Sequence, residues 1–141
     1  VTNMLQTVID RGTGGSARWK YNFYHPAAGK TGTTQGWTDA WFVGFSSQIA
    51  AGAWFGIDDP QVSLGKGADG SRAALPSWAR FMKTAHDSLY YPKEEFEQPS
   101  KVNTFSICQV SKEKPTSLCP IEKELFILGT NPSRLCKIHR R

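Results

Sequence analysis

The sequence predicts an α+β fold, with antiparallel sheet strands packed against helices and an irregular cysteine-containing tail. Three observations support this prediction: helically spaced apolar residues near 1–10 and 76–91, two apolar and aromatic runs between them, and three cysteines that all lie after residue 100. With 141 residues, 39% of them hydrophobic, the chain can bury one modest core. This length is too short for the chain alone to be a large multidomain enzyme.

Two helices flank the first region. The first is predicted over 1–10, with Thr2 or Asn3 as its cap and Gly12 as its stop. The second begins near Pro76, because proline suits a first helical turn. Its apolar face is predicted to hold Trp78, Phe81, Met82, Ala85 and Leu89.

A β-hairpin is predicted between these helices, from AWFVGF and IAAGAWFGI within residues 40–57. Gly44, Gly52 and Gly56 lie inside these runs, where glycine often marks close approach of another element. Residues 58–75 are loop by composition. After Pro92 the sequence becomes a charged, proline-containing linker, so we predict two regions, 1–92 and 93–141.

The net charge of +5 allows a nucleic-acid or anionic-polymer binder, but the basic residues are scattered and form no stripe with aromatic residues. Their densest cluster, Lys137, Arg140 and Arg141, is expected to be a solvated chain end. We therefore expect no nucleic-acid partner. No apolar run reaches the roughly 20 residues of a membrane span. Because Val1 already lies within the predicted first helix, we expect the sequence to begin inside a longer protein.

The stretch Gly29-Lys30-Thr31 looks like the end of a phosphate-binding loop. That loop needs a glycine five residues before Gly29, where Tyr24 stands, and Pro26 has no N–H to offer a phosphate. On its own, the stretch is typical of a polar edge strand in which a lysine blocks sheet-to-sheet pairing.

The ordered set KTGTT, DAWFVGF, AGAWFGIDDP and ALPSWARFM closely resembles the C-terminal part of the transpeptidase domain of class A penicillin-binding proteins. The resemblance covers nearly the whole chain. It implies a serine-type peptidoglycan D,D-transpeptidase that acts on the D-Ala-D-Ala stem peptide and is acylated by β-lactams. It also implies the periplasmic face of the bacterial inner membrane, an anchor in an N-terminal segment absent here, and no cofactor.

The same resemblance assigns the site residues. Lys30 and Thr33 are the expected catalytic residues, and substrate binding is expected from Lys30, Thr31, Gly32, Thr33 and Thr34. Lys30 would hold the substrate carboxylate, Thr31 would supply a hydroxyl, and Gly32 would leave room for an extended substrate. The N–H of Thr33 would serve the oxyanion hole, and its hydroxyl would contact the substrate carboxylate. Trp37 is expected beside the groove, whereas core packing is expected for Trp41.

The nucleophile of such enzymes lies in an S-x-x-K motif upstream of K-T-G, and an S-x-N motif accompanies it. Neither motif occurs upstream here, and S-x-N occurs nowhere in the chain. Two chance matches to S-x-x-K begin at Ser63 and Ser111, where glycines or a proline oppose the required helix.

We therefore expect this chain to carry one wall of an active site. The chain alone is expected to be inactive, and to be stable only beside the upstream part of the same protein. The alternative is a non-catalytic extracytoplasmic binding module with the same fold.

The cysteines allow a Cys3His zinc site with His139, a disulfide, or free thiols. Tails of the resembled family often hold cysteines in similar places outside the membrane. The resemblance therefore favours a disulfide between Cys119 and Cys136, with Cys108 left over, and no metal site. His25 and His86 are expected to be surface or packing residues and not ligands.

Overall fold

The structure, a computed structural model, describes residues 1–140. The packing divides the chain into two compact units, Val1–Phe96 and Glu97–Arg141, which we call the N-terminal and C-terminal units. This division falls a few residues after the boundary predicted at Pro92. Arg141, the last member of the basic cluster expected at the chain end, lies outside the described residues.

The N-terminal unit follows the predicted order of helix, antiparallel strands, loop and helix, which confirms the α+β class. Its first helix begins without the side-chain cap expected from Thr2 or Asn3, because the residue at the N-cap position is Val1. A π-helical turn, Gly70–Ala74, leads into the last helix. The other elements are α1 (Thr2–Asp10), α2 (Ser16–Trp19), β1 (Ala28–Thr33), β2 (Asp39–Phe45), β3 (Ala50–Gly56) and α3 (Leu75–Ser88).

The three strands form an antiparallel sheet in the order β1-β2-β3, so β1 and the K-T-G residues lie at an edge. Strand alternation buries Ala40 and Phe42 and leaves Trp41 on the opposite face, where it is 45% exposed beside Trp54. The expectation that Trp41 packs in the core was therefore wrong.

The core lies between this sheet and α3, with Trp78 at its centre. The indole of Trp78 contacts the Phe42 ring, with 4.7 Å between ring centroids, and its Nε1 donates to the Ala51 carbonyl at 3.1 Å. A Cβ on Gly44 would lie only 2.6 Å from the Trp78 ring, which confirms the close approach predicted at that glycine.

The buried face of α3 differs from the predicted one. Phe81 and Leu89, both expected inside, are 54% and 59% exposed. His86 is buried instead, because Met82 O and Ser46 Oγ lie 2.8 and 3.0 Å from its two ring nitrogens and satisfy them. The buried residues of the helix are Leu75, Trp78, Ala79, Met82 and His86.

The C-terminal unit contains a strand ladder that the sequence did not indicate. Strands β4 (Val102–Cys108) and β5 (Ile121–Ile127) pair antiparallel over seven residues each. The segments after each strand are irregular, and the only buried apolar residues described in this unit are Ile107, Cys108 and Cys136. Among residues 1–140, no helix is both long and apolar enough to cross a membrane.

Candidate functional site

Strand β1 presents the residues that the sequence singled out. Lys30 pairs with Val43 and Gly32 with Trp41 on β2, while the other edge of β1 has no strand partner among the described residues. Glycine at position 32 leaves the strand without a side chain there. An extended peptide could therefore add to this edge through backbone hydrogen bonds.

The Lys30 side chain is exposed, and its ammonium bends toward the next residue. It donates to the Thr31 carbonyl at 2.9 Å and to the Thr31 hydroxyl at 3.2 Å. The Thr31 hydroxyl also lies 3.3 Å from the hydroxyl of Thr13, in the turn that follows α1. Ammonium and hydroxyl thus form one polar group at the strand edge.

Thr33 is connected to the loop that precedes α3. The N–H of Gly70 donates to the Thr33 hydroxyl at 3.1 Å, and a Cβ on Gly70 would clash with the carbonyls of Trp41 and Gly32. Only glycine lets this loop approach the sheet so closely. Sequence reasoning missed this contact, because the two residues are 37 positions apart and no local pattern joins them.

Asp69 fixes the same loop. Its carboxylate accepts hydrogen bonds from the backbone N–H groups of Ser71 and Arg72, at 2.9 and 3.0 Å. The hydroxyl of Ser71 lowers the pKa of Asp69, burial opposes this effect, and the two N–H groups and Arg72 reinforce it. An ionised carboxylate therefore holds the first turn before α3 in place.

Thr34 lies at the start of the β1–β2 turn, and its polar groups are used there. Its hydroxyl accepts from the N–H of Asp39 at 2.8 Å and lies 2.7 Å from the Thr38 hydroxyl. Gly36 and Trp37 complete the turn with positive φ angles of 82° and 57°. Trp37 is 36% exposed, and its N–H donates to the carbonyl of Thr34, the residue after β1, at 3.2 Å.

Neither serine of the two S-x-x-K matches lies on a helix. Ser63 is in an irregular loop, where its hydroxyl donates to the Gly36 carbonyl at 2.6 Å. Ser111 is in the turn that follows β4. Neither serine has the helical geometry that would place its lysine one turn away on the same face.

The C-terminal unit brings together all three cysteines and His139. The three thiols are free, so the predicted disulfide between Cys119 and Cys136 is absent. Cys108, expected to be left over, has its Sγ 3.6 Å from the Sγ of Cys136. The four ligand atoms of Cys108, Cys119, Cys136 and His139 lie within 4.8 Å of one another.

The thiols of this cluster differ in their proton affinity. A hydrogen bond from Ser111 lowers the pKa of Cys136 to about 6, against the effect of burial and with help from His139. Burial raises the pKa of Cys119, although hydrogen bonds from Thr116 oppose the rise. The cluster can therefore hold a thiolate at neutral pH.

Comparison with known proteins finds relatives that are similar to this chain in both units. Residues 98–141 match the family model described as penicillin-binding protein 1A, C-terminal domain. The whole chain is similar to penicillin-binding protein 1A of Aquifex aeolicus, with 40% identity over 95% of this chain and 18% of that protein. The chain belongs to the penicillin-binding protein family.

Two further matches agree with this assignment. Penicillin-binding protein 1A of Clostridium tetani is 38% identical over 90% of this chain and 16% of that protein. The crystal structure of penicillin-binding protein 1A from Haemophilus influenzae superimposes with a TM-score of 0.82 and 29% identity, over 96% of this chain and 20% of that one. The predicted resemblance is confirmed, and the chain spans about a fifth of the length of these relatives.

Proposed function

We propose that the chain forms one wall of the active site of a peptidoglycan D,D-transpeptidase. The observation that carries the proposal is the exposed ammonium of Lys30 on β1, whose outer edge has no strand partner among the described residues. Within residues 1–140, no carboxylate lies within the 4.0 Å of an ion pair with this ammonium. Its charge is therefore available to an anionic substrate.

The substrate class follows from this arrangement. A stem peptide that ends in D-Ala-D-Ala is extended and carries a terminal carboxylate. Its backbone would lie along β1 beside Gly32, and its carboxylate would accept hydrogen bonds from Lys30 and the hydroxyl of Thr31. A β-lactam with a carboxylate would occupy the same place.

The acyl-transfer step needs a donor for the developing oxyanion. A serine hydroxyl gives its proton to a lysine base as its oxygen attacks the carbonyl of the penultimate D-Ala, and the C–N bond to the terminal D-Ala breaks as that nitrogen takes the proton and D-Ala leaves. An amine of a second stem peptide then displaces the serine oxygen, which regains a proton. We assign the Thr33 N–H to the oxyanion, a contact typically worth about 3 kcal/mol of barrier. The Thr33 hydroxyl accepts from the Gly70 N–H and so anchors the loop, while its own proton is still free to be donated to the substrate carboxylate.

The reacting serine and its lysine base are proposed to lie in another part of the same protein, since Ser63 and Ser111 lack the required helix. The chain alone would then be inactive. Thr34 would act indirectly, by holding the β1–β2 turn. The site would face the periplasm, and the protein would be anchored to the inner membrane by a segment outside these residues.

The test compares two lysines in the complete protein that carries this chain. We expect Lys30→Ala to slow acylation by benzylpenicillin about 10- to 100-fold, the effect of one charge-assisted hydrogen bond on a barrier. Lys66→Ala is the matched control, because Lys66 is an exposed loop lysine, and it should leave the rate unchanged. Intact-mass spectrometry over time gives both rates.

Three results would each overturn the proposal. Equal acylation rates in both variants would remove Lys30 from the site. A loss of melting temperature in Lys30→Ala that accounts for the lost acylation would support the edge-strand role instead. No penicilloyl adduct on any serine of the unmodified protein would favour the non-catalytic binding module.

A further inference from the structure

The cluster in the C-terminal unit has the composition of a structural zinc site. Cys108 ends β4, Cys119 lies two residues before β5, and Cys136 and His139 follow in the last irregular segment. Three separate stretches of backbone thus converge on one point. Three thiols and an imidazole form a Cys3His set, one of the usual donor sets of structural zinc.

The distances fit a tetrahedral ion. With bonds of about 2.3 Å to sulfur and 2.05 Å to nitrogen, ligand atoms of a tetrahedral zinc lie about 3.8 Å apart for two sulfurs and about 3.6 Å for sulfur and nitrogen. Here the Sγ atoms of Cys108 and Cys136 are 3.6 Å apart, and they lie 3.4 and 3.5 Å from Nδ1 of His139. Cys119 Sγ lies within 4.8 Å of all three atoms and completes the set.

Backbone groups around the cluster support thiolate ligands. The N–H of Ser111 points at Cys108 Sγ from 3.5 Å, and the N–H of Thr116 points at Cys119 Sγ from 3.2 Å. Such N–H groups orient the sulfur and stabilise its negative charge. The Thr116 hydroxyl also donates to the His139 carbonyl at 2.6 Å. Thr116 thus holds His139 close to Cys119.

The C-terminal unit also needs a stabilising element beyond its core. Its 45 residues include a ladder of two seven-residue strands, and among residues 97–140 the buried apolar residues are only Ile107, Cys108 and Cys136. Units of this size rarely fold on apolar burial alone and usually depend on disulfides or a metal. A disulfide between Cys108 and Cys136 would use two of the four converging groups and leave Cys119 and His139 unexplained.

We propose that Cys108, Cys119, Cys136 and His139 bind one structural Zn²⁺ in a closed tetrahedral site. Binding involves no electron transfer: each thiol that is still protonated releases its proton as the Zn–S bond forms. With all four positions filled by protein, the ion has no open position for chemistry. The proposal replaces the expectation of a metal-free tail and is independent of the transpeptidase proposal.

The test uses the complete protein that carries this chain, purified with a thiol reductant, loaded with zinc sulfate and dialysed against metal-free buffer. We expect about one equivalent of zinc to remain by elemental analysis. Loading with Co²⁺ instead should give the visible d–d bands and thiolate charge-transfer absorption of a tetrahedral sulfur site. His139→Ala and Cys119→Ser should lose zinc to a competing chelator at least about tenfold more readily.

Two variants act as controls. Lys137→Ala changes an exposed residue between the last two ligands and should retain zinc as the unmodified chain does. His139→Cys restores a four-ligand set and should retain zinc with a more thiolate-like Co²⁺ spectrum. Less than a tenth of an equivalent of zinc in the loaded chain, or equal retention in Cys119→Ser and Lys137→Ala, would overturn the proposal. A Cys108–Cys136 disulfide in the reduced, zinc-loaded preparation would do the same.

Discussion

The N-terminal and C-terminal units differ in the number and size of the apolar side chains that they bury. The first buries large side chains between a sheet and a helix, among them Phe23, Phe42 and Trp78. The described part of the second has Ile107 as its only fully aliphatic buried residue, and the other two buried apolar positions are cysteines. None of its described Lys, Arg, Asp and Glu residues is buried, and an ion pair as exposed as that of Lys112 with Glu122 contributes little stability.

This difference shows where each unit obtains its stability. In the N-terminal unit, roughly 25 cal/mol is gained for each Å² of apolar surface removed from water, and the gain is spread over many side chains. The C-terminal unit buries little apolar surface, so the proposed zinc site with its four ligand groups would supply the rest of the folding free energy. The two units should therefore respond to opposite perturbations.

Metal removal should produce the largest contrast. In the zinc-loaded complete protein, a chelator should abolish hydrogen-exchange protection across the β4–β5 ladder, because zinc-binding free energy is folding free energy in such sites. Protection of the β1–β3 sheet should stay within error, since its core contains no ligand. Exchange measured by mass spectrometry on peptides from each unit provides an internal control within one sample.

The opposite result would be informative as well. If the β4–β5 amides keep their protection after the zinc has been shown to leave, backbone pairing alone stabilises this unit. The comparison between a core-based unit and a ligand-based unit would then fail.

A core truncation should give the next largest effect and reverse the pattern. Trp78→Ala should lower the free energy of unfolding of the N-terminal unit by about 3–5 kcal/mol, the usual cost of deleting a buried tryptophan. Zinc retention by the C-terminal unit should not change. Urea denaturation followed by exchange in each unit separates the two responses.

Trp19→Ala is the matched control for this truncation, because the side chain of Trp19 is 72% exposed whereas that of Trp78 is 1% exposed. It should change the free energy of unfolding by no more than about 0.5 kcal/mol. Similar losses in both variants would indicate that Trp78 is not the centre of the core.

Local patterns were sufficient to predict most of the N-terminal unit. Two apolar and aromatic runs with a short polar connection between them predicted the β2–β3 hairpin, and Pro76 predicted the start of α3. The buried face of α3 was misjudged because apolar content was taken as the signal for burial. His86 is buried through hydrogen bonds to Ser46 and Met82, which only the folded chain brings together.

The candidate sites divide in the same way. The K-T-G strand was visible because its residues are consecutive, whereas the contact of Gly70 with Thr33 was not. In the C-terminal unit the cysteine positions were readable, but which groups converge depends on the β4–β5 register. That register pairs Cys108 with Ile121 and so brings Cys119 next to Cys108. The spacing of the cysteines along the sequence does not predict this register.

The smallest effect we expect is a loss of stability of the N-terminal unit at acidic pH. Burial lowers the pKa of His25, and Coulombic interactions with His86 and Lys93 lower it further, while the Pro92 carbonyl and Asp87 partly oppose the shift. Its Nδ1 is buried without a hydrogen-bond partner among the described residues, so an added proton there would be unsatisfied. Folding therefore favours the neutral imidazole.

The sign of the pH dependence follows from linkage. A group whose pKa is lower in the folded than in the unfolded chain leaves stability intact above the unfolded pKa of 6.5 and reduces it as the pH falls through the folded pKa. Urea midpoints of the N-terminal unit should thus decrease from pH 7.5 to below 6, and His25→Gln should reduce that decrease. His139→Gln removes a histidine from the other unit and should leave the decrease unchanged. If His139→Gln alone reduces it, acid sensitivity originates in the C-terminal unit, and the two units do not respond separately to protons.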